Sequence, residues 1–181
     1  KAKMLSQLMY GLNYKAAVTE YGGKGCQGNA DIMAIRASGF THEFEVKVSK
    51  SDLMGELNAI ERIVSEGDGM FNNRNSGEKK KVSKYIKHKM YMGDYNHFSE
   101  HLYLHYTPTQ FSFAVTEDFV EVAKKGIEGT GYGLYAVNEI GAYCVVKAKK
   151  LNKHKASIEM YQNVMRKACT EVEYTRRALA E

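Results

Sequence analysis

Residues 28–53 read GNADIMAIRASGFTHEFEVKVSKSDL, and the alternation within them decides how the chain folds. Ile32, Met33, Ala34 and Ile35 follow Asp31 as a short apolar run, and Ser38-Gly39 is a turn signal. Phe44, Val46 and Val48 then alternate with Glu45 and Lys47. The spacing predicts two strands joined by a short turn. Residues two apart in a strand point to the same side. The Glu45 carboxylate and the Lys47 ammonium are therefore expected to project together, with Phe44, Val46 and Val48 anchoring the opposite face in a core. With Asp31 at the start of the partner strand, the set suits metal-assisted attack on a phosphodiester. Two carboxylates hold a hard divalent cation, and the lysine holds a nucleophilic water or balances charge at the scissile phosphate. A purely structural role, with Asp31 in a turn and Glu45 paired to Lys47 on the surface, leaves unexplained why a charged pair interrupts so apolar a strand.

The flanking segments extend this reading. Residues 1–14 carry Met4, Leu5, Leu8, Met9 and Leu12 as a helix-like stripe. Ala16 to Tyr21 reads as a first strand, and the glycine-rich YGGKGCQGN (21–29) leads into the Asp31 strand. After Val48, the run from Ser49 to Asp52 offers helix-capping residues. Leu53, Leu57, Ile60 and Val64 follow at helical spacing, ending near Glu66-Gly67. The polar stretch 66–81 is expected to be a mobile loop, and 82–106 has mixed helical character. FSFAVTEDF (111–119) reads as a strand running into a short helix through Lys125. GYGLYAV (131–137) and GAYCVVKA (141–148) read as a hairpin around Asn138-Glu139-Ile140. Ile158, Tyr161, Met165, Ala168, Val172 and Leu179 recur at roughly heptad spacing, predicting a long closing helix packed on the sheet. With no repeat and no Pro/Ser linker, residues 1–181 are expected to form one domain, an α/β sandwich around a mixed sheet.

The bulk numbers narrow the partners. A chain of 181 residues, 44% hydrophobic and 26% charged, is an ordinary globular balance. No run of about 18 apolar residues exists, so no membrane-spanning helix is expected. The N-terminal apolar stretch is too short for a secretory signal. Three widely spaced cysteines form no CxxC or CxxH pair, which favours a reducing, cytoplasmic setting. The net charge of +5, carried mainly by lysine, favours polyanionic partners. GGKGCQG is a poor phosphate loop, since it lacks the GK[ST] ending and precedes a strand.

Asp31 with Glu45-Val46-Lys47 resembles the motif of the PD-(D/E)XK superfamily of metal-dependent nucleases, with Ala30 where that motif has proline. EVKVSKSDL, KHKMY (87–91), FSFAVTEDF and GYGLYAVNEIGAYCVVKAKKL are together similar in order and spacing to MmcB-like DNA-repair proteins, over most of residues 18–180. The resemblance implies a restriction-endonuclease-like mixed β-sheet core flanked by helices. It implies an Mg²⁺- or Mn²⁺-dependent DNA endonuclease acting in repair, recombination or restriction-like processing. Asp31, Glu45 and Lys47 would be catalytic, with the metal on Asp31, Glu45 and the Val46 carbonyl. The superfamily often adds a glutamate from its first helix. Residues 1–14 hold no acid, so Glu20 on the first strand is the candidate in its place. Ser49, Lys50 and Asp52 are expected to support the site or contact the DNA backbone, with helix capping as the simpler role for Ser49, and Lys87 and His88 are further candidate DNA contacts. A DNA-binding repair scaffold with little or no cleavage is the alternative, and an RNA nuclease a third. A homodimer is also open, with the closing helix as its surface or, more simply, as part of the monomer core. His97, His101 and His105 recur every four residues, a spacing that can hold zinc on one helix face, but no acidic or cysteine ligand joins them.

Overall fold

The computed structural model describes residues 1–12, 14–22, 29–66 and 108–178. In chain order these form α1 (Ala2–Gly11), β1 (Ala16–Tyr21), β2 (Ala30–Ile35), β3 (Thr41–Lys47), α2 (Lys50–Glu66), β4 (Gln110–Thr116), a 3₁₀ turn (Glu117–Phe119), α3 (Val120–Gly126), β5 (Gly133–Val137), β6 (Ala142–Val146) and α4 (Ile158–Ala178). The six strands make one mixed sheet in the order β1-β2-β3-β4-β5-β6. β1, β2 and β3 are antiparallel neighbours, β3-β4 and β4-β5 are parallel, and β5-β6 is antiparallel. The architecture is α/β, with the sheet flanked by four helices among the described residues.

Strand alternation sorts the core onto two faces. α1 lays Met4 and Leu8 over Ile32, Ala34, Phe44, Val46 and Val137. On the other face α2 and α3 cover Phe111, Phe113, Val115 and Leu134. There α4 packs Met160 and Val164 against Val18, Met33 and Ile35. The β2–β3 turn closes where the sequence indicates. Gly39 sits at φ +84, a conformation that L side chains rarely adopt. The N–H of Arg36 and the carbonyl of Phe40 meet at 2.9 Å. The β5–β6 hairpin also forms, its tip held by Asn138 Oδ1, which accepts from the N–H groups of Ile140 and Gly141.

Three expectations need correction. Val48 is 45% exposed and lies beyond the end of β3, so only Phe44 and Val46 anchor the strand. The first helix stops at Gly11, and Leu12 has an extended backbone. In α4 the buried residues are Met160 and Val164, with Tyr161 and Ala168 partly covered. Ile158 (79% exposed), Met165 and Val172 face outward. The inward stripe keeps Tyr161 and Ala168 but replaces Ile158 and Met165 with Met160 and Val164, which turn toward β1. The expected loop over 67–81, the helical character of 82–106 and the histidines at 97, 101 and 105 lie outside the described residues.

Beneath α1 lies a polar network. His42 is buried, and its Nδ1 receives the Tyr14 hydroxyl at 2.6 Å and the Arg36 guanidinium at 3.2 Å. A guanidinium only donates, so Nδ1 is the acceptor and the ring proton sits on Nε2, which donates to Ser112 Oγ at 2.8 Å. Arg36 also donates to Gln110 Oε1 at 2.8 Å. Burial, then the Arg36 charge, pushes His42 from 6.5 down to about 3. The unfolded chain therefore takes up a proton at His42 below pH 6.5 while the folded chain does not until about pH 3. Stability is lost as pH falls through that window, with a slope for this group that approaches about 1.4 kcal/mol per pH unit. Urea denaturation between pH 7 and pH 5 should show a shallower loss for His42→Gln than for the wild type. Equal slopes would mean that His42 protonates in the fold.

Candidate active site

The β2–β3 register pairs Ile32 with Phe44. Continued by one residue, it sets Asp31 opposite Glu45 at the end of β3, and opposed residues of antiparallel strands share a face. Lys47 follows two residues on, again on that face. One Asp31 oxygen, Oδ2, accepts the Val46 N–H at 2.7 Å, so the carboxylate caps the ladder where β2 begins. The other, Oδ1, is 2.6 Å from the Lys1 ammonium. Lys47 Nζ donates to Glu45 Oε1 at 3.2 Å. The three expected groups thus lie at one corner of the sheet, linked in sequence through the Val46 backbone.

α2 adds two acids to this corner. Ser49 caps the helix, its Oγ accepting the Asp52 N–H at 3.3 Å. Leu53, Leu57 and Ile60 turn into the core. Asp52 and Glu56, four residues apart and each one residue before a buried leucine, then hang over β3. Asp52 Oδ2 lies 3.2 Å from Lys47 Nζ and Glu56 Oε1 lies 3.8 Å away. The Lys47 side chain is 2% exposed, those of Asp31 and Glu45 14% each. Burial pulls the Lys47 ammonium down. The charges of Glu45, Glu56 and Asp52 outweigh that pull, so its pKa stands above the ordinary lysine value.

The remaining candidates separate. Glu20 is exposed, with φ +46, a left-handed conformation unusual for a residue with a side chain. The register of β1 on β2 runs Thr19 to Ile32 and Tyr21 to Ala30, which sets Glu20 beside Asp31. Val46 buries its side chain on the α1 face. Ser49 is a cap, and Lys50 is exposed at the first turn of α2. Lys87 and His88 lie outside the described residues. Asp52, expected around the site or on the DNA backbone, is an ion partner of Lys47, whereas Glu56 as a partner of Lys47, the fully buried Glu43 two residues before Glu45, and Lys1 on Asp31 were not foreseen. The EFEVK alternation signals Glu43, and the i,i+4 spacing beside Leu53 and Leu57 signals Asp52 and Glu56. No local pattern signals Lys1.

Among the described residues, no group of three or more His, Cys, Asp or Glu side chains is arranged to hold a metal ion. Mg²⁺ is commonly held by one or two carboxylates while keeping several waters. The Lys1 ammonium on Asp31 Oδ1 comes from a side chain 48% exposed.

No known protein-family profile matches the chain, and no curated protein matches it. Among solved structures it is similar to the SPO1766 protein of unknown function from Silicibacter pomeroyi. The TM-score is 0.48 at 14% identity, over 91% of this chain and 79% of that one.

Removing Lys47 leaves Glu45, Asp52 and Glu56 crowded without their shared counter-charge. Lys47→Ala is expected to cost about 3 kcal/mol of unfolding free energy in urea. Asp52→Asn, at a site 45% exposed, should cost well under half of that. Similar losses for the two variants would show that Lys47 is not the hub of the cluster.

Proposed function

We propose that this chain is a divalent-cation-dependent nuclease of restriction-endonuclease-like fold that hydrolyses phosphodiester bonds in DNA. One observation carries the reading: Asp31 Oδ2 accepts the N–H of Val46, the residue next to Glu45, at 2.7 Å, and the Lys47 ammonium lies 3.2 Å from Glu45. Asp31 and Glu45 are the residues to hold Mg²⁺ or Mn²⁺, with the Val46 carbonyl as a third oxygen and Glu20 on the neighbouring strand as a fourth. When bound, the cation lowers the pKa of a water and offsets charge at the phosphate. The Val46 N–H orients Asp31 by holding Oδ2, and that leaves Oδ1 facing Lys1. Lys1 would have to leave Asp31 Oδ1 for a cation to be held there. Lys47 stays charged through its carboxylate neighbours and holds Glu45 Oε1 at 3.2 Å.

A second reading, a DNA-binding repair scaffold with little or no cleavage, is favoured by one specific feature. Lys47 is only 2% exposed, and its ammonium is engaged by three carboxylates, as a purely structural ion cluster would be. Plasmid nicking separates the two. With Mg²⁺ or Mn²⁺ the wild type should cut, EDTA should abolish cutting, and Asp31→Asn and Glu45→Gln should each lower the rate about 100-fold or more. Full activity in both variants would disprove the site, and a wild type that never cuts would favour the scaffold. Lys1→Ala removes the competing ammonium, so it should tighten Mn²⁺ binding several-fold in calorimetry. Weaker binding would show that Lys1 does not occupy the cation position.

A further inference from the structure

The charges of the described residues are segregated along the strands. Asp31, Glu45 and Asp52 lie at the end of the sheet where β3 finishes. Glu117 and Asp118 follow β4 at that end, and Glu139 follows β5. The opposite end is basic. α3 runs back from the end of β4 toward the start of β5 and closes with Lys124 and Lys125. β6 runs antiparallel to β5 and so returns the chain to the same end, where Lys147 and Lys149 follow. The N–H of Lys149 donates to the carbonyl of Gly131 at 2.9 Å, pinning that segment to the loop after α3. Lys150 places its ammonium 3.6 Å from the centre of the Phe40 ring, and Lys155 lies 5.8 Å from it. The β2–β3 turn is thereby joined to the same patch.

These six lysines are exposed. Four of them, Lys124, Lys125, Lys147 and Lys149, line a cavity of about 460 Å³ together with Glu121 and Glu128. Gly129 and Gly131 form its rim at φ +77 and +80, bringing bare backbone to the surface. Four ammonium groups against two carboxylates leave the cavity net positive, and a concave surface with an excess of one sign focuses potential outward. A chain of phosphates is the ligand that relieves the repulsion at several points at once, and lysine meets phosphate as a point charge without base preference. Phe40 adds an apolar face between two of the cations.

We propose that this lysine-rich end is a binding surface for the phosphodiester backbone of a nucleic acid. β3 spans seven residues from Thr41 to Lys47, so the surface is set about 20 Å from the carboxylate corner. The proposal goes beyond cleavage and does not need it, because a chain that never cuts keeps the same surface.

The test measures binding alone, in EDTA, by fluorescence anisotropy of a short labelled DNA duplex over a salt series. The triple variant Lys147→Glu/Lys149→Glu/Lys150→Glu alters only exposed side chains. It should weaken binding about tenfold or more and reduce the slope of log K against log salt by about 3, since each phosphate contact contributes about 0.9. The control Lys3→Glu, an exposed lysine at the carboxylate end, should change the affinity less than twofold. Circular dichroism should show both variants folded. Wild-type affinity in the triple variant would overturn the proposal, as would a larger loss in the control. Binding of phosphatidylserine vesicles but not of DNA, lost in the triple variant, would assign the surface to a membrane and overturn it too. Because no cation is present, none of these outcomes depends on whether Asp31 and Glu45 form a catalytic centre.

Discussion

The Lys47 ammonium, enclosed by Glu45, Asp52 and Glu56, is the constraint on which the candidate site depends. A buried cation is tolerated only when counter-charges surround it closely, and here two of the three come from the first turns of α2. The cluster therefore fixes where α2 starts over β3, and Ser49 caps the helix at the position that aims Asp52 inward. The same cluster sets the character of the corner. Glu45 is tied to Lys47 on one side and lies opposite Asp31 on the other, so it links a structural ion network to a candidate metal site. Both readings of the protein, enzyme and scaffold, follow from how that carboxylate divides its charge between the two.

The sheet separates its polar groups by face and by end. On the α1 face the buried His42 and Ser112 and the half-buried Tyr14 and Arg36 satisfy one another by hydrogen bonds. Burial also pushes the Tyr14 phenol well above its usual range, so it remains a donor to His42. On the opposite face the ionised groups gather where β3 ends, and lysines collect where β4 and β5 begin. No helix among the described residues is long and apolar enough to cross a membrane.

Much of this was legible in the residues themselves. The β2–β3 pair with its Gly39 turn, the Ser49 cap, the Asn138 hairpin and the existence of the closing helix all rest on contacts within a few positions. Periodicity and turn chemistry report such contacts. Val48 misled because alternation does not say where a strand stops. α4 misled because two adjacent apolar stripes run along it, and only docking on β1 selects Met160 and Val164 over Ile158 and Met165. Lys1 on Asp31 could not be read at all, since thirty positions separate the two.

The sequence alone determined the alternation that puts Glu45 and Lys47 on one side of a strand, the acid placed ahead of its partner strand, and the basic balance of the chain. These follow from bond geometry and composition, which do not wait for folding. Tertiary structure alone decided that Lys47 is buried, that Asp52 and Glu56 surround it, that His42 is held neutral beneath α1, and that acids and lysines occupy opposite ends of the sheet. The reason is physical: solvation and charge pairing depend on which groups meet in space, and the crossover through α2 and the return through β6 bring together residues far apart along the chain.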